Sequence, residues 1–282
     1  MGIRIGSNVL GLSMARRLGE TDRLLGRSYA RLASGLRIAT AADDPAGVGI
    51  AARMRSEVRS LVVARRNTED GVSLLKVADG TLSELSEIIE RTRELGVKAA
   101  SETLSQRDRQ VIDSERASLA EDAARLVDSA RFNGIDLFAE GGDFFNNGIA
   151  IQVGTERGET VDLKVSDISR VLEVLQSIRF SSSNQASRSL DSLDVGLDMV
   201  SSTRGEVGAL QNRLESAGRV ISSRREAMAE ALSRVQDVDI AAETAELTRL
   251  QILQESGTLL LAQANFTPTV ALDLIRGALF RP

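Results

Sequence analysis

The 282-residue chain has no cysteine, no histidine and no tryptophan, with a single tyrosine and three prolines. Without His or Cys it cannot assemble a Cys-His or Ser-His-Asp constellation, a zinc site with nitrogen or sulfur ligands, or a disulfide. Carboxylates and arginines remain, but neither a G-x-x-x-x-G-K-[ST] phosphate loop nor an H-E-x-x-H motif occurs. The expectation is no enzyme, no cofactor and no metal, and in their place a structural or interaction protein. No run approaches the 18 or more apolar residues of a membrane-spanning helix, so membrane insertion is not expected. The first residues, MGIRIGSNVLGLSMARRLG, lack the apolar core of a secretory signal, which makes the cytosol the default compartment unless another export route operates.

Hydrophobic residues make up 42% of the chain but aromatic ones only 3%, so the expected core is built from Leu, Ile, Val and Ala, a palette suited to helix seams. The prolines stand at positions 45, 268 and 282, which leaves room between them for very long helices. Residues 1–66 carry twelve Arg against five Asp or Glu, and the remainder carries 23 basic against 35 acidic residues. Those arginines are spread along a helical pattern without aromatic stacking platforms, so nucleic acid is not an expected partner.

Hydrophobic residues recur with a period of seven. One seam runs Met54, Leu61, Thr68, Leu75, Leu82, Ile89, with Ala64, Gly71, Ala78 and Leu85 three residues after successive members. Asp44 and Pro45 supply an N-cap and a first-turn proline for this helix, and about 56 residues at 1.5 Å each would span roughly 80 Å. A second seam runs Leu193, Val200, Val207, Leu214, Ile221, Met228, Val235, seven apolar residues in seven places. Between the seams, Ser105 and Asp108 have capping-box spacing and open a shorter helix bearing Ile112, Leu119 and Leu126, ending at Phe132-Asn133-Gly134. Ile149, Ile151, Val153 and then Val161, Leu163, Val165 alternate on either side of the TERGE turn, which predicts a β-hairpin. The polar run from Ser181 to Ser189 reads as turn-prone, a natural place for a chain reversal or an insertion.

Both chain ends are amphipathic. Leu18, Leu25, Tyr29, Leu32 and Leu36 form one stripe; Ile240, Leu247, Leu250, Leu253, Leu260 and Leu261 form a broader one. Thr267 and Pro268 are expected to start a last helix. The C-terminal apolar surface is too wide for one partner helix, so it should be buried on several sides or stay unfolded until partners arrive.

The blocks LASGLRIATAADDPAGVGIAARM, ARRNTEDGVSLLKVADGTLSE, RTRELGVKAA, RFNGIDLF, ALQNRLESA and QILQESGTLLLAQAN resemble bacterial flagellin across nearly the whole chain. The resemblance implies a mainly α fold: a long antiparallel coiled-coil bundle with a small β-hairpin, whose chain ends pair as a terminal helical domain. The implied domains are 1–43 and 241–282 as the two parts of an inner coiled-coil domain, and 44–240 as a rod-like domain with its hairpin at about 135–180. This is a minimal form without outer variable domains. The implied function is a subunit that polymerises into the flagellar filament for motility, located outside the cell and exported without a cleaved signal. The implied partners are further copies of itself, the flagellar export apparatus and its chaperone, junction and cap proteins, and a host flagellin receptor. By the same resemblance, Arg91, Leu95 and Glu115 fall on positions read by that innate immune receptor. The serines of 181–189 and Thr155 fall where exposed glycan acceptors sometimes lie. The sequence departs from the family pattern at Phe266, where a polar residue is usual, and in its terminal LIRGALFRP. Two other readings stand beside this one: a hook-filament junction protein, and a cytosolic signalling coiled coil.

Overall fold

The structure is a computed structural model and describes residues 8–138, 144 and 148–279. The elements in chain order are α1 (Val9–Ser34), α2 (Pro45–Ala100), α3 (Gln106–Ser129), β1 (Arg131–Phe132), β2 (Ile135–Asp136), β3 (Ile149–Gln152), β4 (Thr160–Leu163), α4 (Ser169–Ser177), α5 (Ser183–Gln236) and α6 (Ile240–Leu279). The fold is mainly α with two small antiparallel strand pairs. The chain divides into two compact units: Glu57–Ala227, and the chain up to Ser56 together with everything from Met228 onward. These divisions lie inside α2 and α5.

In the Glu57–Ala227 unit the period-seven residues form the core. Leu61, Leu75, Leu82 and Ile89 of α2 are buried, as are Leu193, Val200, Val207, Leu214 and Ile221 of α5. Each such side chain contributes about 1.5–3 kcal/mol relative to exposure. Thr68 joins the seam because its hydroxyl donates to the Ala64 carbonyl at 2.9 Å, leaving its methyl to pack. The helices run antiparallel, with ion pairs Arg93–Asp194 (2.6 Å), Arg204–Asp79 (3.0 Å) and Arg224–Glu57 (2.8 Å) along their flanks. Close approach needs a small residue at Gly71, where an added Cβ would lie 2.9 Å from Leu214 Cδ1 and 3.3 Å from Ile151 Cγ1. At the ends of the seam, Met54, Met228 and Val235 are half-buried.

The capping box that opens α3 is present, with the Ser105 hydroxyl and Asp108 each serving the other's backbone N–H. The end of α3 differs from expectation. The helix stops at Ser129, and Asn133 (φ 49°) with Gly134 (φ 80°) forms the two-residue turn of the β1–β2 hairpin. Asn-Gly is the dipeptide best suited to two successive left-handed residues. The expected β-hairpin is β3–β4, paired in the register Ile149↔Leu163 and Ile151↔Val161, with Val161, Leu163 and Val165 facing the core.

The run from Ser181 to Ser189 is not a turn. From Ser183 it is the first part of α5, because Ala186 and Ser189 face inward and the Ser189 hydroxyl donates to the Gln185 carbonyl at 2.9 Å. Burial also removes Ser189 as a glycan acceptor. Helix α4 has no counterpart in the sequence reading, yet Ile168, Val171, Leu175 and Ile178 fill its buried face at helical spacing. Three rings modify the aliphatic core: Phe180 is fully buried, and Phe138 meets Phe144 edge to face with centroids 6.1 Å apart.

In the other unit α1 and α6 pair antiparallel. Asn8 reaches Ala264 and Asn265, Asp22 accepts from Gln254 (2.8 Å), the Tyr29 hydroxyl accepts from Gln251 (2.9 Å), and Arg31 meets Glu243 (3.8 Å). Asn8 caps α1 by accepting from the Gly11 N–H, and Gly35 ends it in the left-handed region (φ 71°), where a Cβ would be strained. Asp239 caps α6 through the N–H groups of Ala241 and Ala242. The expected restart at Pro268 is not found, since α6 continues through it. Proline removes the donor that would serve the carbonyl four residues earlier, Ala264. The Asn8 side-chain amide donates to that carbonyl at 3.1 Å instead. The side chains of residues 267, 268 and 271–279 lie outside the described residues, as do residues 280–282, so Leu274, Ile275, Leu279 and the end of LIRGALFRP are not placed.

Candidate assembly interface

The α1–α6 pair is built on one seam. Leu250, Gly257 and Ala264 recur every seven residues on α6 with Leu247, Gln254 and Leu261 beside them; Gly11, Leu18, Leu25 and Leu32 recur at the same period on α1, where Leu18 Cδ1 lies 3.5 Å from the place a Cβ would take at Gly257. Leu25, Leu250 and Ala264 are buried; Leu18, Leu32, Leu247 and Leu261 are half-buried.

The seam accounts for only part of the apolar surface. At 3.6 residues per turn, Ile252, Leu259 and Phe266 lie about half a turn round α6 from Leu250, Gly257 and Ala264. They are 58%, 72% and 67% exposed. A helix apolar on two opposite faces is stable in water only when both are covered. Leu253 and Leu260 are also exposed, along one edge of the pair, as are Val9, Leu10 and Leu12 at the start of α1. The outward side of α1 is different: Arg16, Arg23 and Arg27 share it and are exposed. Ile252, Leu259 and Phe266 were not singled out together from the sequence, although their spacing of seven was there to be read.

The residues carried over for receptor recognition are only partly brought together. Arg91 donates to Glu115 at 3.0 Å and to Glu94 at 2.9 Å, and all three are exposed. These hydrogen bonds, that with Glu115 foremost, hold the Arg91 guanidinium above its ordinary pKa. Leu95 is 4% exposed and belongs to the core of the same unit, so this surface presents charge without that leucine.

No group of three or more Asp or Glu able to hold a metal occurs among the described residues, and no described helix is long and apolar enough to cross a membrane. Long aliphatic seams, exposed charge and a terminal helix pair with an exposed apolar line are the features of a helical structural protein. Residues 5–142 match the bacterial flagellin N-terminal helical region, and residues 190–275 match the bacterial flagellin C-terminal helical region. Flagellin of Halalkalibacterium halodurans is 35% identical over 274 residues, covering 96% of this chain and 99% of that relative. Flagellin of Bacillus subtilis is 30% identical over 306 residues, covering 97% and 100%. The crystal structure of Bacillus cereus flagellin is similar with a TM-score of 0.50 at 26% identity, over 59% of this chain and 94% of that one. Bacillus cereus FlgL, at 16% identity and a TM-score of 0.51 over 62% and 96%, shares the fold. The chain belongs to the bacterial flagellin family, whose members are structural proteins and not enzymes.

Proposed function

We propose that this chain is a structural subunit of the bacterial flagellar filament, polymerising through its terminal helices. The observation that carries the reading is the exposed Ile252, Leu259 and Phe266 line, opposite the seam that α6 buries against α1. Patches that differ on two sides of a subunit make heterologous contacts, and these propagate as a helical polymer when the rotation does not close. Relatives whose names state the role support it, among them a flagellar filament 33 kDa core protein of Treponema phagedenis, 31% identical over 284 residues. Full-length identity to flagellins disfavours the junction-protein alternative, and the family match disfavours a cytosolic signalling coiled coil.

The same reading places the working protein outside the cell, delivered by the flagellar export apparatus with its chaperone and bounded by junction and cap proteins. The seam residues Met54 to Ile89 and Leu193 to Val235 then hold the rod, while Leu18 to Leu32 and Leu247 to Leu261 serve assembly. Contact with a host receptor, if made at Arg91 and Glu115, uses the exposed ion pair, since Leu95 is covered in the subunit. The test is seeded elongation of purified protein followed by negative-stain electron microscopy. Helical fibres are expected from the full chain. Chains lacking residues 1–40 or 245–282 are expected to stay helical and unpolymerised, and fibres from either truncation would overturn the role given to the termini.

A further inference from the structure

Asn-Gly occurs twice in the chain, at 133–134 and at 147–148, and Asn147 lies outside the described residues. Asn133 and Gly134 are the whole loop of the β1–β2 hairpin, with φ 49° and 80°. Both are exposed, and nothing lies within 4 Å of the place a Cβ would take at Gly134. Among the described residues neither the Asn133 side-chain amide nor the Gly134 N–H has a hydrogen-bond partner. A carboxamide followed by an unhindered backbone nitrogen is the pairing that closes a five-membered imide unaided. The turn opposes that closure. In the left-handed well, a ψ of about +47° sets the nitrogen of the next residue almost opposite Cβ, as far from the side-chain carbon as rotation about Cα–C allows. Asn133 must therefore leave its turn conformation before the two atoms can meet. What holds it there is small: two residues in each strand, the Arg131–Asp136 ion pair across them, and the Leu137 N–H donating to the Ala130 carbonyl at 3.0 Å. A hairpin of that size opens far more readily than the long helices do.

We infer that Asn133 is a self-modification site, held latent by its own left-handed turn and converted when the β1–β2 hairpin opens. The Gly134 backbone nitrogen attacks Asn133 Cγ and gives up its proton to solvent. The new N–Cγ bond replaces the bond to Nδ2, which leaves as ammonia. Water then opens the imide at either carbonyl, giving an aspartyl or an isoaspartyl residue, so the sum is amide plus water to carboxylate plus ammonium. Each event adds one negative charge. The isoaspartyl product also carries the main chain through Cβ, and a two-residue turn with an extra main-chain atom no longer closes β1 on β2 in register. The conversion is one-way, so it accumulates with the age of the chain.

The test holds the purified protein in mildly alkaline buffer, folded or in concentrated urea, and locates the conversion by peptide fragmentation, which separates Asn133 from Asn147. Conversion at Asn133 is expected in urea, and the folded chain should convert at least about tenfold more slowly, by a factor that follows the exchange protection of the Ile135 amide. Phe132 packs partly against the core, so Phe132→Ala should loosen the hairpin, quicken conversion in the folded chain by about tenfold and leave the rate in urea unchanged. Isoaspartyl chains, separated by their added charge, should lose protection at the Leu137 amide, whereas Asn133→Asp, the other product, should keep it. No conversion in urea would show that Asn133 is not a modification site. Equal rates folded and unfolded, or a folded rate that does not follow Ile135 protection, would overturn the part given to the turn. Isoaspartyl chains with an intact hairpin would overturn the stated consequence.

Discussion

Arg109 is one of the few charged residues buried in the molecule, and its guanidinium closes the end of a long helix. It donates to the carbonyls of Ala99 (3.1 Å), Ser101 (2.6 Å) and Leu104 (2.7 Å), where α2 runs out of its own donors. A positive charge there also meets the negative end of the α2 dipole. Arg109→Ala leaves these acceptors unserved in a closed site, and the expected cost is about 3 kcal/mol in urea unfolding. Arg109→Lys should recover only part, because a single ammonium cannot reproduce the fork. Asn8 has a comparable double role at the other end of the chain: its oxygen caps α1 and its nitrogen serves the Ala264 carbonyl left open by Pro268. Asn8→Ser keeps the cap and loses the long donor, so amide exchange in α6 around Phe266 should quicken while the start of α1 stays protected. Equal loss of protection at both places would show that the cap alone matters.

Among the elements, the two long seams were legible because one residue in seven, recurring every two turns, faces the neighbouring helix and is apolar at every place but Thr68. The rest was less visible for identifiable reasons. Helix α4 spans nine residues, too few for periodicity to stand out between a hairpin and a serine-rich stretch. The start of α5 looked like a turn because Ser bonds as readily to a helix carbonyl as to a loop. Leu95 shares a helix with Arg91, but its burial depends on what packs over it, which spacing on one helix cannot supply. At Gly71 the sequence allows any small residue, while the structure gives the reason for glycine in the contact with Leu214 and Ile151. Gly71→Val should destabilise by about 1–3 kcal/mol through overpacking. Gly80→Ala, with nothing within 4 Å of its Cβ, should stabilise by about 0.5–1 kcal/mol. The two substitutions moving unfolding the same way would refute this account of α2–α5 packing.

The β3–β4 hairpin is tied to α2 and α5 by Asn67 donating to the Gln152 carbonyl (3.1 Å) and by Arg224 beside Glu159 (3.6 Å). The Glu159 carboxylate is held below its ordinary pKa, first by the Glu156 backbone N–H, while burial pushes the other way. A carboxylate whose folded pKa is depressed adds stability above its unfolded value of about 4.3 and loses it as pH falls through the lower folded value. Protection of the hairpin amides should therefore fall below about pH 4, and Glu159→Gln should remove that acid dependence.

At the scale of the whole molecule, most of the large hydrophobic side chains left exposed among the described residues lie in the unit that holds both chain ends. Polymerisation should accordingly raise amide protection most strongly in α1 and α6 and far less in α3, α4 and the hairpins. A uniform gain along the chain would mean that the assembling surface lies elsewhere. Leu259→Asp tests the same point with one atom-scale change, because the side chain is exposed in the subunit: folding should be unaffected and elongation lost. Mixed with the unaltered protein, that variant has a further use. It keeps its other surfaces intact while this exposed apolar line is spoiled, so it can join a growing end by those surfaces and then refuse the next arrival. A minor fraction of such chains should act as a terminator, shortening every fibre instead of merely diluting the pool, and at the level of a cell the altered copy would be dominant over the normal one.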